Sequence, residues 1–295
     1  MPTLESTGSP TKPLFVMLKG EPGTRKSTCA LSFPGRQYWI STDQKMEALE
    51  LPAKRWGLWG KNPTHLDFDD FSDWDGPIAK LEQFKVNCPY KTIVVDSVTS
   101  IGDNMNRQTI KHKKSEGGGK KIGTIYVPGL EEYNAEASGF QDLMARLKDI
   151  HKYHKVNIVL IAHVVGQRKD DDKNKLTHHS RVIITGGDKI SGKIASYMTE
   201  VYHFNVRTGF DADSGDGEFE LFTQHLGNDY ARTSLPLERK ITFNSEPLYE
   251  KWIAPAIIKL HKEQPVQRIA NNTPVVEAPQ QTQTTSKTTT PFTTT

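Results

Sequence analysis

Short, largely apolar runs alternate with stretches of helical periodicity along most of this chain. "LFVML" (14–18), "QYWIST" (37–42), "KTIVVDS" (91–97) and "NIVLIAHV" (157–164) are brief and rich in β-branched or aromatic residues, so each predicts a buried strand. "KSTCALSF", "GPIAKLEQFKV" and "EEYNAEASGFQDLMARLKDIHKYH" carry helical spacing between them. A further helix is expected from about Val98 to Lys111, followed by a loop, "KHKKSEGGGKKIG". Strands and helices taking turns predict an α/β fold, a mostly parallel twisted sheet with helices on both faces. Later runs, "RVIIT", "EVYHFNV" and "EFELFTQ", predict more strands, the last two paired antiparallel around "TGFDADSGDG". "PLYEKWIAPAIIKLHK" reads as a closing helix, broken or kinked near Pro255.

Composition divides the 295 residues further. Residues 1–11 read as a flexible arm, 12–264 as one folded domain and 265–295 as a disordered tail. From about Ala270 the chain runs "NNTPVVEAPQQTQTTSKTTTPFTTT", with almost nothing bulky and apolar to offset its ordering entropy. Two cysteines, Cys29 and Cys88, make neither a disulfide framework nor a metal-ligand spacing. The N-terminus lacks a basic-then-apolar leader and no apolar run approaches a membrane span, so a soluble, cytoplasmic protein is expected, with no membrane partner. A net charge of +3 is too mild to argue for nucleic acid by itself.

Two places nearly spell a phosphate-binding loop. Such a loop needs a strand, glycines that let backbone N–H groups wrap the phosphates, a lysine for their oxygens and a Ser/Thr hydroxyl for Mg²⁺. In the first, Gly20, Glu21, Pro22, Gly23, Thr24, Arg25, Lys26, Ser27 and Thr28, arginine stands where the last glycine belongs. In the second, Gly187 leads to Gly192, Lys193 and Ile194, and the hydroxyl is lost. Arg25 keeps the phosphate-binding N–H and fails only if its position needs φ > 0. Ile194 offers no oxygen to a metal. The first site also has a strand before it, a helix after it and an acid some 70 residues on, so it is the expected ATP site. The competing reading of each is an exposed lysine, on a glycine-rich turn at the first and at a helix start at the second. Asp96 ends the strand in "KTIVVDSVTS", where it could hold Mg²⁺ together with Ser27, or simply cap the next helix.

"GEPGTRKST", "TIVVDSVTS" and "NIVLIAHV", in this order and spacing, resemble the RecA-like P-loop ATPases. Within them the chain is most similar to phage-type nucleotide-binding proteins associated with single-strand annealing recombination. "GKIASYMTEVYHFNV" and "YARTSLPLERKITF" resemble the C-terminal half of those proteins, and the likeness spans roughly residues 13–255. The resemblance implies a sheet in which one strand lies between the phosphate-loop strand and the Asp96 strand. It implies Mg-dependent ATP hydrolysis, with Lys26 on the phosphates and an acid after the second strand activating water. That acid would be Asp43, with Glu47 one helical turn on as its substitute, although both residue types are equally at home at a helix start. His163 would sense the γ-phosphate, or be structural. The loops facing single-stranded DNA would carry Lys111, Lys113, Lys114, Lys120 and Lys121, then Arg168 and Lys169, or else be solvated surface. Asp170, Asp171 and Asp172 weaken the second of these loops.

A homo-oligomer is implied as well, with a basic residue donated by a neighbour; Arg207, Arg232 and Arg239 are candidates. A single-strand annealing or single-strand-binding protein is the implied partner, and a host cytoplasm the implied location. The rival class is a nucleotide-gated or nucleotide-independent DNA-binding module whose Arg25 has spoiled turnover. A phosphotransferase would need an arginine-bearing lid, for which only "GQRKDDDKNK" is available, and a helicase would have to form a ring.

Overall fold

In a computed structural model of the chain, residues 12–58, 65–117, 120–170, 176–183, 193–207, 218–225, 229–244 and 246–263 are described. Strand β1 (Phe15–Gly20) is buried along its whole length and leads through a five-residue loop into helix α1 (Lys26–Leu31). Strand β2 (Gln37–Ser41) is followed by a 3₁₀ turn (Met46–Leu49) and helix α2 (Glu50–Arg55). Next come β3 (Leu66–Asp70), α3 (Asp75–Val86), β4 (Thr92–Asp96) and α4 (Val98–Ser115). A small hairpin, β5 (Lys120–Ile122) and β6 (Ile125–Val127), separates α4 from the 25-residue helix α5 (Leu130–His154). The remainder is β7 (Asn157–Asp170), β8 (Leu176–Ile183), β9 (Glu200–Arg207), β10 (Glu218–Phe222), β11 (Lys240–Phe243) and, after a π-helical turn at Tyr249–Ile253, α6 (Ala254–Glu263).

The main sheet runs β11-β10-β9-β1-β7-β4-β2-β3, with β8 paired to β7. From β9 to β3 every neighbouring pair is parallel, whereas β10 is antiparallel to both β9 and β11. The expected inserted strand is β7, which lies between β1 and β4. Alternate residues of β1 face opposite layers, as the pleat requires. Val16 and Leu18 pack with Cys29 and Leu31 of α1, Ala53 of α2 and Ile257 of α6. Phe15 and Met17 pack with Leu81 of α3, Ile101 of α4 and Leu143 and Leu147 of α5. Each fully buried side chain of this size contributes about 1.5–3 kcal/mol relative to exposure. Because the central strands are parallel, the segments after β1, β2 and β4 and the outer part of β7 converge at one edge, where ligands of such sheets bind.

Several elements differ from the sequence expectations. Strand β3, "LDFDD", has three acids that mask its apolar alternation, and it forms the edge beside β2. Helix α4 continues past Lys111 to Ser115, so the expected loop is half helix and half hairpin. Strand β7 runs beyond "NIVLIAHV" to Asp170, and β8 starts at Leu176 rather than at "RVIIT". "KITF" is a strand, β11, that closes the antiparallel extension. The closing helix is continuous through Pro255, changing from π to α geometry between Ile253 and Ala254. The "TGFDADSGDG" turn and both the arm at 1–11 and the tail at 265–295 lie outside the described residues.

Candidate functional site

The loop between β1 and α1 is built by three unusual backbone positions. Gly20 admits no side chain, because a Cβ there would stand 2.6 Å from the Phe204 carbonyl oxygen and 2.9 Å from Thr24 Oγ1. Gly23 has φ +79°, the left-handed region that glycine enters without steric cost. Arg25, at the start of α1, has φ 63° and ψ 24°. The position therefore does call for φ > 0, and arginine meets that demand at a cost of about 1–2 kcal/mol. Its guanidinium lies 3.9 Å over the Phe219 ring of β10 and donates a hydrogen bond to the Asn244 carbonyl just beyond β11. Both partners belong to the antiparallel extension of the same chain. Nothing local in the sequence points to Phe219, which lies 194 residues further along the chain.

Lys26 is buried, and its ammonium donates to the carbonyls of Gly20 (3.0 Å) and Glu21 (2.7 Å) and to Thr24 Oγ1 (3.3 Å). Burial lowers its pKa to about 8, against the opposing pull of Asp96, Asp43 and Glu21. One residue on, Ser27 Oγ donates to Asp96 Oδ2 at 2.8 Å. Asp96 ends β4, in register with Ser41 of β2 and Ile161 of β7. Burial raises its pKa and the nearby Asp43 adds to this, while the Ser27 hydrogen bond, His163 and Lys26 hold it down in part. The helix cap that Asp96 might have supplied comes instead from Ser97, whose side chain accepts from the Ser100 N–H. A hydroxyl and a carboxylate side by side suit Mg²⁺, a hard cation that takes one or two carboxylates and completes its shell with phosphates and water.

Asp43 follows β2 and meets residues from two other strand ends. Its Oδ1 accepts from Ser97 Oγ (3.1 Å) and from Ser100 Oγ, and its Oδ2 lies 3.4 Å from His163 Nε2. Burial would raise its pKa, but the His163 contact, the Ser97 hydroxyl and Lys45 outweigh it, so the carboxyl sits below its ordinary value. His163 stands in β7 opposite Gly20 of β1, and its Nδ1 is buried without a partner among the described residues. Thr42, between Ser41 and Asp43, donates its N–H to the Asp96 carbonyl at 2.7 Å, which ties the ends of β2 and β4 together. Ser41, Asp43, Asp96 and His163 line a cleft of about 340 Å³ together with loop residues 22–28, Lys45, Met46, Ala48 and Leu49. Glu47, the proposed substitute acid, is exposed and is not among the cleft-lining residues.

The basic residues expected to face nucleic acid are divided among several elements. Lys111, Lys113 and Lys114 belong to the last turns of α4, and Lys113 is paired with Glu131 and, at 2.8 Å, Glu132. Lys114 and Lys121 flank Tyr126 of β6, 5.3 and 4.6 Å from its ring centroid. Lys120 is in β5; Arg168 and Lys169 pair in register with His179 and His178 of β8. Of the arginines considered for donation to a neighbour, Arg232 donates to the Met198 carbonyl and Arg239 to that of His225 (2.7 Å), while Arg207 lies opposite Glu218. At the second glycine pattern, Ile194 is wholly buried, and Gly187 and Gly192 lie outside the described residues.

A parallel sheet with a glycine loop, lysine and hydroxyl between its first strand and helix, facing an acid at the end of a strand one place removed, defines a P-loop NTPase core. A family model described as an AAA domain matches residues 12–228, and the chain belongs to that family, which is one of nucleotide-binding domains of ATPase type. No curated protein matches the chain. Among the described residues, no helix is long and apolar enough to cross a membrane.

Proposed function

We propose that the protein is a Mg-dependent ATPase that acts on single-stranded DNA. The observation that carries the catalytic part is the convergence of Lys26, the Ser27–Asp96 hydrogen bond and the Asp43–His163 pair on one cleft. The N–H groups of residues 20–28 and the Lys26 ammonium would hold the β- and γ-phosphates. Ser27 and Asp96 would hold Mg²⁺, which when bound neutralises charge on the phosphate oxygens. Asp43, its pKa held down by His163, the Ser97 hydroxyl and Lys45, would orient the attacking water, and His163 would register the γ-phosphate. In phosphoryl transfer most of the rate comes from such positioning and electrostatics, and little from covalent chemistry by the protein.

The nucleic-acid part is supported by the hairpin β5–β6, where Tyr126 lies between Lys114 and Lys121 beside exposed Ile122 and Ile125. An aromatic face flanked by cations suits a stacked base and its phosphate. The resemblance in the phosphate-loop, Asp96 and His163 motifs supports a role in phage-type recombination or replication, as a homo-oligomer and beside a single-strand annealing or binding protein. ATP turnover with and without single-stranded DNA, at two salt concentrations, tests the reading: DNA should stimulate phosphate release, less so at high salt. Loss of Lys26 should abolish that release; a Lys26→Ala variant as active as the parent refutes the site. A second reading, a nucleotide-gated DNA-binding module, is favoured by one feature: both Asp43 oxygens are already engaged, which leaves less capacity to orient water. Tight ATP binding without DNA-stimulated release would support it.

A further inference from the structure

Three cations line the cleft among the described residues: Arg25, Lys26 and Lys45. The first two are committed. Arg25 is stacked on Phe219 and bonded to Asn244, on the antiparallel extension. Lys26 directs its ammonium at two carbonyls and a hydroxyl of its own loop. Lys45 is different. Its side chain is exposed and makes no hydrogen bond or ion pair among the described residues, and its charge is felt at the Asp43 carboxylate two residues earlier. The turn that presents it is also specific, since Gln44 takes φ 52° between Asp43 and Lys45. Lys45 thus lines the same cleft as the loop N–H groups, on the wall that carries the water-orienting acid.

A triphosphate with one divalent cation still carries net negative charge, which in the transition state is spread over the three oxygens of the transferring group and the leaving oxygen. A site of this type therefore needs a cation beyond the loop lysine. The sequence offered three arginines for donation by a neighbour: Arg232 and Arg239 have guanidinium donors bound to carbonyls of their own chain, and Arg207 lies at the end of β9 opposite Glu218 of β10. We propose that Lys45 is this cation: a catalytic residue that contacts the terminal phosphate in cis, so that each protomer's site carries its own charge-stabilising group. The proposal rests on the reading of the cleft as the ATP site.

The test uses the full chain and the variants Lys45→Ala, Lys45→Arg and Lys26→Ala, with phosphate release and the affinity for fluorescent mant-ADP as readouts. Lys45→Ala should lose about 100-fold or more in kcat while its mant-ADP affinity stays within twofold. That second readout also reports an intact fold. Lys45→Arg should recover part of the rate. Mixing Lys45→Ala with Lys26→Ala should restore nothing, because a cis cation cannot be lent between protomers. Recovery on mixing overturns the cis assignment, and a Lys45→Ala rate within threefold of the parent overturns the role itself. If the parent releases no phosphate, or Lys26→Ala matches it, the ATPase reading falls and takes this proposal with it. A parent that turns over and depends on Lys26 but not on Lys45 refutes this inference alone.

Discussion

Replacing Arg25 by glycine restores the usual residue of a phosphate loop, yet the structure predicts a loss of stability. Four effects set the sign. The left-handed backbone at φ 63° costs a non-glycine residue about 1–2 kcal/mol, which glycine would relieve. Glycine adds freedom to the unfolded chain and so costs about 0.4–1 kcal/mol. The arginine side chain contributes about 0.5–1 kcal/mol from stacking on the half-buried Phe219. Its hydrogen bond to the Asn244 carbonyl adds about 0.5–1.5 kcal/mol. Arg25→Gly should therefore be destabilised by roughly 1 kcal/mol. Arg25→Ala loses the same contacts without relief of the backbone, and should lie about 1 kcal/mol lower still. Urea denaturation at constant m-value resolves differences of this size as shifts in midpoint. Affinity for mant-ATP is the companion measurement. With the guanidinium held on β10 and β11, Arg25→Gly should bind mant-ATP within about threefold of the parent, a cost under 1 kcal/mol. An alanine variant as stable as the glycine one would refute the strain. A tenfold loss of affinity in Arg25→Gly would place the guanidinium on the phosphates instead.

Other perturbations test neighbouring parts of the site. Gly20→Ala forces a Cβ to within 2.6 Å of a backbone carbonyl, and should cost about 1–3 kcal/mol in urea denaturation together with nucleotide binding; a variant of parental stability would contradict the packing. Asp43→Asn should lower kcat by about 100-fold or more, whereas Glu47→Gln, altering an exposed residue outside the cleft-lining set, should stay within twofold; the reverse order would make Glu47 the working acid. The Lys26 pKa of about 8, below the ordinary 10.5, means that between these values the unfolded chain holds a proton the folded chain lacks. This group's contribution to stability is thus least favourable below pH 8 and improves as pH rises towards 10.5. ATP binding at pH 8.5 should restore the charge and take up a proton, detectable by calorimetry in buffers of different ionisation heat; no uptake would refute the shift.

How much of this was readable from the chain depends on the range of the interactions involved. Strands β1, β2, β4 and β7 declared themselves because a strand buried on both faces reads as a mostly apolar run, and that is a local signal. Strand β3 did not. Its Asp67, Asp69 and Asp70 are answered by Arg36, by Tyr38 with Lys80, and by Ser41, residues that sequence cannot pair in advance. The motif residues of the phosphate loop were legible by spacing, but the conformation of Arg25 was not, since what offsets its strain lies some 200 residues away in Phe219 and Asn244. Asp43 and His163 were singled out separately, for distinct tasks. Only sheet order brings them together, across 120 residues of chain. Lys45 carried no motif at all, and it stands out only once its neighbours' donors are seen to be spent.

Sheet order also explains why these contacts form one unit. Neighbouring strands lie about 4.8 Å apart, so β1 and β4, with β7 between them, are about 10 Å apart. Ser27 closes that gap because α1 carries it over the end of β7 to Asp96. His163, on β7, in turn reaches past β4 to Asp43 after β2. Each bridge skips one strand, and the two interleave, so the strand under one bridge supplies an end of the other. Their charges are linked as well: Asp43 raises the Asp96 pKa, while His163 and Lys26 lower it. A change of charge at Lys26, Asp43 or His163 is therefore felt at the Asp96 carboxylate. On the proposed function, a triphosphate seated on the loop would act on the Asp43–His163 pair through charge, since His163 lies one strand from the loop strand β1 and Asp43 follows a strand three places away.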